Sequence, residues 1–159
     1  MIIKLNEEHL NMICEYMENS KNENVYASDS IKMFDFSDRG YLRNIIFNEL
    51  LCFFAIIDKN SIKNLLIVET MIDKKNHNSI QILYLDLGDM KFVEEAIEEM
   101  LAQYCKKINK NKIKIIFQKG IFESEYFNNK FTREMEFENA YGEKTVMSFF
   151  VSEVECEED

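Results

Sequence analysis

Two hydrophobic periods alternate along this chain, and the switch between them is clearest across residues 79–117. Residues 79–87 are short, β-branched and aromatic, and apolar on both faces, as a strand covered on both sides should be. Gly88 and Asp89 end the run. Phe92, Val93, Ala96, Ile97, Met100, Leu101, Tyr104 and Ile108 then recur at three- and four-residue steps, which predicts one buried helical face. Glu94, Glu95, Glu98 and Glu99 lie toward the start of that helix and Lys106, Lys107 and Lys110 toward its end, matching the helix dipole. Residues 112–117 return as a strand, so the stretch outlines a βαβ unit.

The same reading extends to the rest of the chain. Residues 2–5 predict a strand, and Asn6 an N-cap, with Glu7 and Glu8 in the first turn of a helix that buries Leu10, Ile13, Cys14 and Met17. Residues 19–38 are polar and turn-rich around Val25, Tyr26, Met33, Phe34 and Phe36, and are expected to be the most mobile part, with fast amide exchange. Gly40 precedes a second helical pattern of Tyr41, Leu42, Ile45, Ile46 and Leu50, which runs into a strand at 51–57. A turn at 58–61 and a strand at 64–72 complete a hairpin, and a turn at 73–78 leads into the strand at 79–87. Beyond Gly120, a helix is expected from about Glu123 to Met135, then short strands around Phe137 and at 145–151, turning at Tyr141 and Gly142. The order β-α-α-β-β-β-α-β-α-β-β describes an α/β (α+β) domain, a mixed and mostly antiparallel sheet flanked by helices. It occupies residues 1–151, and residues 152–159 form an acidic tail expected to fray.

Composition narrows the class. At 159 residues and 47% hydrophobic, the chain suits one domain with a full core. With 19 basic and 29 acidic residues the formal charge is −10, and no basic cluster carries interleaved aromatics, which argues against nucleic-acid binding. The apolar stretches are strand-length and the first residues lack a signal-peptide pattern, so a cytoplasmic protein with no membrane association is expected. Cys14, Cys52, Cys105 and Cys156 fall singly and only His9 and His77 could join them, so no metal site or disulfide is expected, and the first three cysteines read as buried free thiols. Residues 146–151 are β-prone and apolar toward both faces. Placed at the end of the sheet, they need cover, and a homodimer is the expected source.

The element order and spacing resemble the GNAT superfamily of N-acetyltransferases over nearly the whole chain. The resemblance implies that the fourth strand splays from the fifth and pairs its exposed backbone, around Leu85, Leu87 and Gly88, with the pantetheine arm of acetyl-CoA. It also implies a phosphate loop of the pattern Arg/Gln-x-x-Gly-x-Gly/Ala, which an ungapped count places on residues 91–96. Lys91 then matches the basic position and Ala96 the last small one, but Glu94 or Glu95 stands where glycine should. A carboxylate about 5 Å from a diphosphate costs on the order of 3 kcal/mol per charge pair at an effective dielectric of about 20. The family's Tyr-x-x-x-Gly-Phe pattern, whose tyrosine protonates the leaving thiolate, falls on residues 131–137, where Thr132 replaces the tyrosine and Glu136 the glycine. Tyr126 is an alternative acid in another register.

Glu69, a carboxylate inside an apolar strand, is the general-base candidate, set against a solvent-exposed or ion-paired reading; Asp86 carries the same ambiguity. Tyr84 reads as core and His9 as a solvated helix-start residue. These substitutions imply an acetyltransferase-fold protein with an eroded acetyl-CoA site, a non-catalytic module binding no cofactor and taking a protein or small ligand in the cleft between the fourth and fifth strands. The alternative is a divergent acetyl-CoA-dependent N-acyltransferase that holds the thioester by the fourth-strand backbone.

Overall fold

A computed structural model describes residues 1–19, 24–72, 78–108, 114–118, 125–141 and 144–151. The elements in chain order are β1 (Ile3–Lys4), α1 (Leu10–Asn19), β2 (Val25–Ala27), α2 (Arg39–Phe47), β3 (Leu51–Asp58), β4 (Ser61–Ile72), β5 (Asn78–Asp86), α3 (Met90–Ile108), β6 (Lys114–Gln118), α4 (Glu125–Lys130), β7 (Phe131–Tyr141) and β8 (Lys144–Val151). Short 3-10 helices at Glu7–His9 and Asp29–Met33 precede α1 and α2. The mixed α+β class and the predicted order hold, with β2 as an added strand, so the fourth strand of the sequence count is β5. No described helix is long and apolar enough to cross a membrane. Cys105, Cys156, His77, Gly120 and the acidic tail, residues 152–159, have no described side chain or lie outside the described residues.

Residues 1–69 and 83–96 form one compact unit, and residues 70–82 and 97–159 a second. In the first, β1, β3, β4 and β5 are neighbours in that order and β2 pairs with β5. Leu5, Leu10, Ile13, Cys14, Leu42, Ile45, Leu51, Phe53, Leu65, Ile67, Leu83 and Tyr84 share one core cluster, which is why α1 and α2 carry their apolar positions at helical spacing. Phe54, Leu66 and Val68, on the alternate strand positions, are equally buried. The predicted Asn6 cap is present: Asn6 Oδ1 accepts from the Glu8 N–H at 2.8 Å, and His9 Nδ1 accepts from the Asn6 N–H at 3.0 Å. His9 is thus part of a capping box, half-buried where a solvated side chain was expected.

Two local backbone features carry positive φ. The β3–β4 hairpin turns through Lys59 (φ 51°) and Asn60 (φ 63°), between the paired residues Asp58 and Ser61, as in a type I′ turn. Helix α2 ends in a Schellman motif: the Leu50 N–H donates to the Ile45 carbonyl at 3.0 Å and the Glu49 N–H to that of Ile46 at 3.1 Å, with Glu49 at φ 53°.

The structure departs from three expectations. Residues 24–38 are more than polar turns: Val25–Ala27 pairs with β5, Tyr26 is buried, and Phe34 and Phe36 pack on the core, the Phe36 ring edge-on to Phe53 at 6.4 Å. Residues 20–23 of that segment lie outside the described residues. The second correction concerns the helix expected to run to Met135, which stops at Lys130; residues from Phe131 onward form β7, because pairing with β8 outweighs the helix propensity of Arg133, Glu134, Met135 and Glu136. Third, β8 does not lie at the end of the sheet. In the second unit the order is β5, β6, β8, β7, so residues 146–151 have a strand on each side, and edge pairing with a second copy is not needed to cover them. The β5–β6 pair, Ser79 to Lys114 through Gln81 to Ile116, is parallel, and the β6–β8 and β7–β8 pairs are antiparallel.

Candidate functional site

The first unit brings together Leu85, Leu87, Gly88 and Lys91 at the passage from β5 into α3. Along β5, Val25 lies opposite Asp86, Tyr26 opposite Leu85 and Ala27 opposite Tyr84. The flanking bonds extend the ladder: the Ser28 N–H donates to the Leu83 carbonyl at 2.8 Å and the Leu87 N–H to the Asn24 carbonyl at 3.0 Å. Antiparallel alternation makes Tyr26 and Leu85 the doubly bonded pair between them. With β4 as its neighbour on one edge and β2 on the other, the last part of β5 has both edges taken. Its backbone is not the exposed ladder expected from the family resemblance.

Helix α3 begins at Met90, so residues 91–96 are its first turns and not a loop. Asp89 caps it, with its Oδ1 accepting from the Lys91 N–H at 3.0 Å and from the Phe92 N–H at 3.4 Å. The helix's free N–H groups thus already face a carboxylate of the same chain, which opposes a second anion. Phe92, Val93 and Ala96 point into the core. The Lys91 ammonium is exposed and lies 3.8 Å from Glu95 Oε1, an i,i+4 surface pair. Gly88 does not serve close backbone approach: a Cβ there would meet only the Asn24 side-chain nitrogen, at 3.8 Å. The edge that the family resemblance assigns to a pantetheine arm is held by β2, and Asp89, Glu94 and Glu95 are exposed at the start of α3.

Behind this edge lies a buried polar cluster that sequence reasoning only half found. Asp86 is 1% exposed and its Oδ2 accepts from the Tyr16 hydroxyl at 2.6 Å and from the Leu65 N–H at 2.8 Å. The Tyr16 and Tyr84 hydroxyl oxygens are 2.8 Å apart, and their rings meet edge-on at 5.9 Å. Burial, then the bonds to Asp86 and Tyr84, push the Tyr16 hydroxyl far above the ordinary tyrosine range. The ambiguity of Asp86 is thus resolved toward an internal anchor tying α1 to β4 and β5, and Tyr84 is core with a polar tip. Tyr16 was not singled out, although its place three residues after Ile13, beside the apolar face of α1, carried the signal.

Glu69 stands opposite Leu51 near the far end of β4, half-buried, and burial alone raises its carboxyl above the usual range. The other two catalytic candidates belong to different elements of the second unit. Tyr126, on α4, donates its hydroxyl to Glu98 Oε1 of α3 at 3.0 Å. Thr132 is on β7, opposite Phe150, and not on the helix that the family pattern requires.

No protein-family model matches the chain, and no curated protein sequence matches it. Solved structures do. The chain is similar to ribosomal-protein-S5-alanine acetyltransferase from Vibrio fischeri, at 12% identity and a TM-score of 0.69, covering 99% of this chain and 94% of that one. An N-acetyltransferase from Staphylococcus aureus Mu50 gives 11% identity and 0.64 over 95% and 96%. A GNAT-family acetyltransferase from Bacillus cereus ATCC 10987 gives 17% and 0.60 over 98% of both chains. At such identities the likeness shows the fold: this chain has the GNAT acetyltransferase fold.

Proposed function

We propose that the chain is a GNAT-fold binding module whose acetyl-CoA site is closed from within, and not an acetyltransferase. The Tyr26–Leu85 pairing carries this reading, because it uses the backbone groups that the thioester arm would need. The Asp89 cap and the exposed Glu94 and Glu95 support it from the phosphate side, and the engaged Tyr126 hydroxyl and the strand position of Thr132 from the side of the general acid. A module of this kind acts by binding a protein or a small ligand and needs no cofactor.

A divergent N-acyltransferase is the second reading, favoured by one observation: Glu69 is a half-buried carboxylate with a raised pKa, the property a general base needs. It requires β2 to leave β5. Titration calorimetry with acetyl-CoA at physiological salt separates the two. The binding-module reading expects no heat of binding at concentrations up to about 100 μM, and micromolar affinity or release of free CoA thiol on incubation with amines would overturn it.

A further inference from the structure

Helix α2 turns its smallest residue and its largest exposed apolar side chain outward together. Leu42 and Ile45 are buried, whereas Gly40, Arg43, Asn44 and Phe47, at the i, i+3, i+4 and i+7 spacing of a single helical face, are all exposed. Phe47 is 74% exposed, and Leu50 and Tyr41 are 54% and 39% exposed, so three of the six large apolar side chains exposed among the described residues belong to this helix and its cap. Nothing inside the chain asks for glycine at position 40: its φ is not left-handed, and a Cβ would meet only Asp38 Oδ1, at an ordinary contact distance of 3.6 Å. Glycine is nonetheless among the poorest helix formers. A notch of this kind on an outward face serves close approach from outside.

We propose that α2 is the contact face of a two-fold dimer of this chain, in which the Phe47 ring of each copy fills the notch over Gly40 of the other. The surface is self-complementary about one point. Two α2 helices lying antiparallel across an axis midway between Arg43 and Asn44 set Gly40 against Phe47 of the partner subunit, Phe47 against the partner's Gly40, and Arg43 against the partner's Asn44. Knob and notch are seven residues apart, about 10.5 Å along the helix, so both contacts form in the same register. A foreign partner requires no such match of bump and hollow within one surface. Charge also favours this face for self-association: the chain carries −10, yet the Gly40–Phe47 stripe holds no acidic residue. Asn44 Oδ1 accepts from the Asn48 side chain at 2.6 Å and keeps a second lone pair for the partner's guanidinium. The contact uses no residue of the β5–α3 passage and does not depend on what binds there.

Sedimentation equilibrium of the full chain from about 10 to 500 μM should show a monomer–dimer equilibrium. Gly40→Phe, which fills the notch, and Phe47→Ala, which removes the knob, should each raise the dissociation constant at least about tenfold. Combining them in one chain exchanges knob and notch and should return the constant to within about threefold of wild type, which a mere loss of apolar surface would not do. Met90→Ala, which removes an exposed apolar side chain outside α2, should leave it unchanged. A wild type that stays monomeric throughout, single variants that dimerise as wild type does, or no recovery in the combined variant overturns the proposal. Should a variant fail to fold, wild type decides: in a mixture of isotope-labelled and unlabelled copies, nuclear Overhauser contacts should run from the Phe47 ring of one copy to the Gly40 Hα of the other. Their absence at the highest concentration overturns the same register.

Discussion

The Tyr16 hydroxyl donates to Asp86 Oδ2 at 2.6 Å across 70 residues of sequence, the bond that fastens helix α1 to the end of β5. A hydrogen bond to a charged, buried acceptor is worth about 1.5–3 kcal/mol, and removing the donor leaves the carboxylate short of a partner. Tyr16→Phe should therefore lower the urea-unfolding free energy by about that amount with the slope unchanged. In a double-mutant cycle with Asp86→Asn, the two losses should fall short of additivity by about 1 kcal/mol or more; additive losses would show that the pair is not coupled.

The same hydroxyl gives the protein an alkaline signature. Its folded pKa lies well above the unfolded value of about 10, so its contribution to stability is complete below pH 10 and is lost as the unfolded chain gives up its proton above it. Between pH 10 and 11 wild type should lose about 1 kcal/mol more than Tyr16→Phe, because in that window only the unfolded tyrosine ionises. Parallel stability curves for the two proteins would contradict the burial and bonding of Tyr16.

Glu69 predicts the opposite end of the pH scale. Its folded pKa is raised by burial, so the folded state favours the protonated form and stability from this group is greatest below the unfolded pKa and declines as pH rises through the folded one. Glu69→Gln, which keeps the shape without the charge, should raise the melting temperature at pH 7 and lose that advantage near pH 4. A gain that persists at pH 4 would point to packing instead.

Three left-handed residues, at two sites, offer stabilising substitutions. Glu49 sits at φ 53° in the Schellman motif that ends α2, a conformation costing a side-chain-bearing residue on the order of 1 kcal/mol. Its pairing with Lys4, 3.5 Å away and solvent-exposed, is worth little. Glu49→Gly should gain about 0.5–1 kcal/mol in chemical denaturation. Lys59→Asn with Asn60→Gly should gain a similar amount, since both turn positions have positive φ and Asn-Gly is the favoured pair.

The parts of this fold that were legible in the sequence are those with long, periodic burial. Strands β3 to β5 and helix α3 declared themselves because residues such as Leu65, Ile67 and Leu83, or Val93 and Ile97, repeat at the spacing of a covered face. Strand β2 was not legible, since three residues around Tyr26 carry no period and their pairing partner lies 59 residues away. The boundary at Lys130 failed for a related reason: Arg133, Glu134 and Met135 are good helix formers, and only a partner strand makes them β. For the site, a carboxylate at the end of an apolar run flagged Asp86, but its donors, Tyr16 and the Leu65 N–H, belong to distant elements that no local pattern names. Asp89 was read as a strand terminator, and its cap was missed because the phosphate pattern was counted from Lys91.

Strand β8 has a kinetic consequence. Among the described residues it is the last strand in chain order, yet it sits between β6 and β7, so β6 keeps a bare hydrogen-bonding edge until residues 144–151 have been made and docked. Every earlier intermediate of the second unit exposes that edge, and a sheet that closes on its final strand is open to capture by another nascent chain for the longest time. Refolding yield should therefore fall as protein concentration rises even though the finished molecule leaves β8 no free side, which makes solubility during folding a property of this topology and not of the native surface.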